Sequence, residues 1–319
     1  MRVCWLLLPA VLAACAGGAP KGRDFIAQTD AAVAELTARG TAHSLATAAL
    51  LSSAKTAVQS RGQPESQTHN PESQALMKRA VGLSPNEEAL AYIEWRECAA
   101  GTRPCEDPRV AGRLQAMAPD NGLAWLADLD AARESGDESM TTLVISKIGA
   151  SRRIAIYYNA LVVMVTDELA ATHEDSITRM LHAIVVVSAV AFPHLQSMST
   201  PCRRDQFDRL GRREACEAMT ARMVESDSIL MQGFGLSIRE KWWPDGSVER
   251  AKLHAQREQL SYVSAASSRQ RIFHMEKDWA ERLDATRSSN REVDAMQTML
   301  AFYHEQLERP ADWKDPLLR

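Results

Sequence analysis

The chain has 319 residues, 45% hydrophobic and 24% charged, with 49 alanines against 15 glycines and 13 prolines. That balance favours long helices over a many-stranded sandwich and excludes collagen-like, disordered and polytopic-membrane classes. A net charge of −4 and a pI near 6.1 argue against a broad nucleic-acid surface, so no nucleic-acid partner is expected.

The first segment reads as an address. Arg2 supplies a minimal positive charge, and Val3 to Ala14 is a 12-residue apolar run, too short to span a bilayer as an ordinary helix. Leu12-Ala13-Ala14-Cys15 then resembles the bacterial lipobox, in which a peptidase cuts before the cysteine and the thiol receives a diacylglyceryl group. The resemblance implies a signal peptide over 1–14, lipid attachment at Cys15 and a tether over 15–23. Ala16 rather than Asp after the cysteine implies sorting to the outer membrane, facing the periplasm. Acyl chains on one cysteine provide a stable membrane anchor. A soluble periplasmic protein, cut after an Ala-x-Ala-like site, is the alternative.

In chain order, residues 24–83 form N-terminal helices. A stripe of Phe25, Ile26, Val33 and Leu36 ends at Gly40, and an Ala/Leu-rich run covers 44–59. The polar stretch 61–70 (RGQPESQTHN) reads as a flexible loop, and helix resumes over 71–81.

From Ser84 an internal period appears. Leu83-Ser84-Pro85-Asn86 recurs as Met117-Ala118-Pro119-Asp120, 34 residues later. The second unit continues to Trp125 and then Gly136-Asp137, with Leu123, Leu126 and Leu129 on one face. This pattern over 84–153 resembles the tetratricopeptide repeat, a 34-residue helix–turn–helix unit. The departures are Ala91 and Thr102 for the Trp and Gly of the first unit, Leu129 and Thr141 at close-approach positions, and Arg153 where a third Pro would fall. The resemblance implies a concave groove faced by Tyr92 and Arg96 in the first unit and Asp130 and Arg133 in the second, suited to a protein or peptide.

The remaining chain, 154–319, reads as further helices. Ile154–Leu169 and Ala183–Phe192 are rich in β-branched residues but lack turn punctuation, so both are expected to be helical, the second at the centre of the core. Gly233-Phe234-Gly235 suggests close helix–helix packing. The last helices are expected over 247–285, interrupted near Ser264–Ser268, and over 290–308, where Val293, Met296, Leu300, Tyr303 and Leu307 follow a helical rhythm.

Loss of the leader would remove Cys4, leaving Cys98, Cys105, Cys202 and Cys216 beside the anchor. An even number in an oxidising compartment suggests two disulfides, and sequence proximity favours Cys98–Cys105 and Cys202–Cys216 among three pairings. An unbroken helix from 203 to 216 would separate its ends by about 20 Å, beyond disulfide reach, so Gly211 is the natural break.

The expected fold is all-α: helical hairpins stacked as a tetratricopeptide-like solenoid or an irregular α-bundle. No hydrolase, zinc-protease or nucleotide-loop motif is present, and the cysteines lack histidines at ligand spacing, so no catalytic residue, metal or cofactor is assigned. The expected function is a non-enzymatic interaction scaffold, anchored to the membrane through Cys15, with a protein or peptide partner. An envelope hydrolase whose active site assembles only in three dimensions is the alternative.

Overall fold

The computed structural model describes residues 22–59, 70–99, 108–172, 176–193, 195–209, 211–274 and 279–313. The leader with Cys15, residues 61–69 of the polar loop, and Cys105 with its expected bridge to Cys98 lie outside the described residues. Among those described, fifteen α-helices and three short 3-10 turns make up the regular structure, with no strand, and an isolated bridge pairs Asn121 with Arg153. No described helix is long and apolar enough to cross a membrane.

The helices are α1 (Gly22–Arg39), α2 (Ala42–Gln59), α3 (Pro71–Leu83), α4 (Glu88–Ala99), α5 (Pro108–Met117), α6 (Leu126–Glu134), α7 (Glu138–Ala150) and α8 (Tyr158–Leu169). They continue as α9 (Ser176–Val190), α10 (Leu195–Ser199), α11 (Arg212–Val224), α12 (Ile229–Glu240), α13 (Val248–His274), α14 (Trp279–Ser288) and α15 (Glu292–Phe302). From α1 to α5 each helix packs on the next. Further along, α7 packs on α11, α11 on α12, α12 on α13 and α13 on α15. α8 and α9 fold back over α2, and α14 returns to α8.

This topology moves the centre of the molecule. α9 buries Ala183, Val186 and Val187, as expected for a core helix, but α2 is the helix packed by α1, α3, α8 and α9 together. Its Leu45, Ala46, Ala48, Ala49, Leu50, Leu51 and Ala54 are all buried. Alanine on several faces lets four neighbours approach at once, which a single amphipathic stripe cannot do. α3 begins with an N-cap at Asn70, whose side chain accepts from the Ser73 N–H at 3.1 Å, and has Pro71 in its first turn.

In the 84–153 region, α6 and α7 join at Gly136, whose φ of +69° is the left-handed turn the sequence suggests. Leu123, Leu126 and Leu129 are buried. The second unit opens on a 3-10 turn, Gly122–Trp125, rather than directly on a helix. Trp125 is half-buried against the main core, with the Lys147 ammonium of α7 4.0 Å from its ring centre.

Three expected boundaries change. Helix does not start at Ile154: residues 154–157 are non-helical and α8 begins at Tyr158, because a distant carboxylate captures the backbone N–H groups there. α13 runs through Ser264–Ser268 without a break, since the Ser267 and Ser268 hydroxyls donate to the Ser264 carbonyl rather than diverting the chain. α15 ends at Phe302, so Val293, Met296 and Leu300 are buried but Leu307 is exposed.

Candidate functional site

The cleft beside the Cys202–Cys216 loop is built from α6, α7, α11 and the segment 200–211. Cys202 and Cys216 are bonded, with Cα atoms 5.5 Å apart. The chain between them turns back through a 3-10 turn, Arg204–Gln206, and reaches α11 at Gly211, whose φ of +67° reverses direction where a side chain would be strained. The Trp242 indole N–H donates to the Cys202 carbonyl at 2.8 Å, and the Phe207 ring meets Trp242 edge-on at 5.1 Å. Gly149 of α7 sets the spacing to α11: a Cβ there would lie 2.7 Å from the Ala218 Cβ and 2.8 Å from the Met219 nitrogen. Gly235 likewise brings α12 onto α11, the close packing suggested by its sequence context, whereas a Cβ on Gly233 would meet nothing within 4 Å.

Arg212, directly after Gly211, is 1% exposed yet fully engaged. Its Nε donates to the Thr142 hydroxyl at 2.9 Å and its Nη1 to the Pro201 carbonyl at 3.3 Å. Its Nη2 donates to the Glu138 carbonyl at 3.0 Å and to Glu138 Oε2 at 2.9 Å. Burying a guanidinium is costly unless paired and hydrogen-bonded, and here it is both. The other Glu138 oxygen meets Arg209 Nη1 at 3.1 Å. Asp137 caps α7, and acceptance from the Met140 N–H and the Ser139 hydroxyl holds its carboxyl below the ordinary range.

Above this floor lies a cleft of about 160 Å³, lined by Arg133, Glu138, Thr141, Thr200, Arg203 and Arg212 among others. Arg133 has Asp130 as its ionic neighbour, at 3.8 Å, and Arg203 has Asp205, at 3.2 Å. Each contact occupies little of a five-donor guanidinium. Two guanidinium groups therefore reach the cleft with donors uncommitted, while the third is fixed.

The four residues of the expected groove lie near one another, Arg96 within electrostatic reach of Tyr92 and Asp130 and Asp130 beside Arg133, but they differ in exposure. Tyr92 is 0% exposed, with its hydroxyl donating to the Ala191 carbonyl at 2.5 Å and its ring 5.7 Å from that of Tyr157. Burial raises its pKa far above the ordinary phenol value. Arg96 is 7% exposed, stacked 5.7 Å from the Trp95 ring, and burial lowers its pKa. Neither faces an open surface, and the chain at the end of α9 closes over Tyr92. Asp130 and Arg133 are half-buried and adjacent on α6, and of the four only Arg133 lines the cleft. The repeat register could not find Arg203 and Arg212. Their signal is the pairing of Cys202 with Cys216 across Gly211, which turns the residues after Cys202 and Gly211 toward α7.

A second polar cluster joins the 151–157 segment to the rest of the chain. Asn121 Nδ2 donates to the Ala155 carbonyl at 2.8 Å and to the Tyr157 hydroxyl at 3.2 Å, while its Oδ1 accepts from Ala155 and Leu123 N–H groups. Asp227 accepts from the Ile156 N–H at 2.9 Å, the Tyr157 N–H at 2.7 Å and the Ser226 hydroxyl at 3.2 Å. This holds Tyr157 at φ +58°, and burial pushes Asp227 up to about 6 despite those bonds. Arg153 donates to Glu88 at 2.7 Å and Asp120 at 3.2 Å, and the Tyr157 hydroxyl donates to Glu88 at 3.0 Å. Burial disfavours the Arg153 charge, but those hydrogen bonds outweigh it and raise its pKa.

Among the described residues no group of three or more His, Cys, Asp or Glu is placed to hold a metal ion. Compared with protein-family models, curated proteins and solved structures, the chain matches none.

Proposed function

We propose that this chain is a lipid-anchored helical scaffold of the bacterial envelope, held in the outer membrane by Cys15 and presenting a non-enzymatic protein- or peptide-binding face to the periplasm. The observation that carries the binding role is the cleft beside the Cys202–Cys216 loop, where Arg133 and Arg203 reach solvent with donors uncommitted on a frame fixed by a disulfide and by Arg212. Binding groups are most selective when rigid elements hold them, and this frame is helical on both sides. Two sequence features support the location. The Leu12–Cys15 segment resembles a lipobox, and a disulfide between buried cysteines suits an oxidising compartment. The 34-residue echo at Pro85 and Pro119 supports a relationship to tetratricopeptide-like hairpins, in which helices act as a platform rather than a catalyst.

Cys15→Ser should move the protein from the membrane fraction to the soluble periplasmic fraction, and unchanged membrane fractionation would refute the anchor. Crosslinking in intact envelopes should trap a discrete partner with the wild type and lose it on Arg133→Glu/Arg203→Glu charge reversal. No crosslinked species, or one indifferent to the reversal, would refute the scaffold role.

A further inference from the structure

The arrangement of arginines specifies what such a partner must present. Segment 203–212 carries Arg203, Arg204, Arg209 and Arg212 against Asp205 and Asp208, and the Cys202–Cys216 disulfide and the turn at Gly211 draw it against Arg133. Like charges held together repel, and the nearby carboxylates offset only part of this: Arg209 and Arg212 share the two Glu138 oxygens, while Asp130 and Asp205 each make one contact, to Arg133 and Arg203. Arg212 cannot turn outward, since all its nitrogens are engaged below the cleft. Arg133 and Arg203 can, and their planar forks match a two-oxygen acceptor. The cleft, at about 160 Å³, has room for the end of one side chain and not for a cofactor. Glu138 on its wall repels a doubly charged phosphate more strongly than a singly charged carboxylate.

We propose that this cleft binds the carboxylate of an acidic peptide, with Arg133 and Arg203 as the two guanidinium arms and Arg212 as the fixed floor. The inference rests on the scaffold reading and gives its binding face a ligand class: an Asp or Glu side chain displayed by the partner.

The test uses the full chain purified in detergent and a fluorescein-labelled peptide carrying four glutamates flanked by glycine, with the glutamine counterpart as control. Anisotropy should saturate with the glutamate peptide and stay flat with the glutamine peptide. Arg133→Ala and Arg203→Ala should each weaken binding about tenfold, the loss of one charge-assisted pair. Arg133→Lys should fall between wild type and Arg133→Ala, since it keeps charge without the fork. Arg222→Ala, removing an exposed arginine paired with Glu225 at the far end of α11, should leave binding unchanged. Circular dichroism keeps folding in view, and both arms are partly exposed side chains whose loss should leave helicity intact.

Equal binding of the two peptides would overturn the proposal. So would full binding by an Arg133→Ala/Arg203→Ala double variant, an equal loss in Arg222→Ala, or saturable binding of inorganic phosphate with none of the glutamate peptide. Failure here with the envelope crosslink intact would leave the scaffold standing on another ligand. Peptide binding without any crosslinked partner would reject the scaffold and keep the cleft's chemistry.

Discussion

Two polar clusters in this molecule use similar residue types to opposite ends. At the junction of residues 151–157, Asp227 and Asn121 direct their polar atoms at main-chain groups and hydroxyls, and Arg153 is held through Nη2 by Glu88 and Asp120. At the Cys202–Cys216 loop, Arg212 is equally committed, but Arg133 and Arg203 are not. The first cluster is a fastening, and the second is a fastening with two open hands. Charged residues at a cleft indicate function only where their hydrogen-bonding capacity exceeds what the fold consumes.

The sharpest way to break this contrast is to disable the junction. Asp227→Ala would orphan the Ile156 and Tyr157 N–H groups, and two unsatisfied buried donors should cost about 4 kcal/mol in chemical denaturation. The same residue carries a pH signature. Its folded pKa of about 6 lies above the ordinary aspartate value of 3.8, so the folded state binds this proton more tightly. The stability it contributes is fully present below about pH 4 and is lost as pH rises through 6. Asp227→Asn should flatten that limb of the stability–pH curve, and an unchanged limb would show that another group titrates there.

Next in size is the loop. Replacing Cys202 and Cys216 with serine opens a closure of sequence separation 14 and should lower stability by about 3 kcal/mol. It should also weaken any ligand of the cleft, since Arg203 and Arg212 lose their common support. A variant with lowered stability and undiminished peptide binding would separate the loop from the site. The smallest expected effect is the most diagnostic. Arg133→Ala should change stability by less than about 0.5 kcal/mol, as for a partly exposed side chain whose one ionic contact, to Asp130, is long. A larger loss would move Arg133 into the fastening class.

The sequence made much of the fold legible. Alanine abundance and helical rhythm pointed to an all-α chain, Gly211 to the fold-back that lets Cys202 meet Cys216, and Gly233-Phe234-Gly235 to a close helix contact made by Gly235. Each is a local property, readable within a few residues. What escaped depends on distant partners. Nothing near Ile154 announces that Asp227, about 70 positions away, will hold the chain out of helix until Tyr158. The repeat register placed Tyr92 and Arg96 on an open face, but both are buried, Tyr92 against the Ala191 carbonyl. Of the cleft, Arg133 was legible; Arg203 and Arg212 become so only once the cysteines are paired.

The C-terminal helices carry a consequence of their own. Tyr262, Val263, Ala266, Val293, Met296 and Leu300 form a cluster separate from the main core, across α13 and α15. It is tied to the rest through Glu292, which accepts from the Ile229 N–H, and through Asn159, which donates to the Ser289 carbonyl. α13 also packs along α12, and α14 on α8, so this second apolar centre is coupled by packing to the helices that carry the disulfide loop. Loosening at the end of the chain is therefore expected to reach the cleft loop before it reaches α2, because Arg250 of α13 donates to the Trp243 carbonyl, next to the indole that holds Cys202.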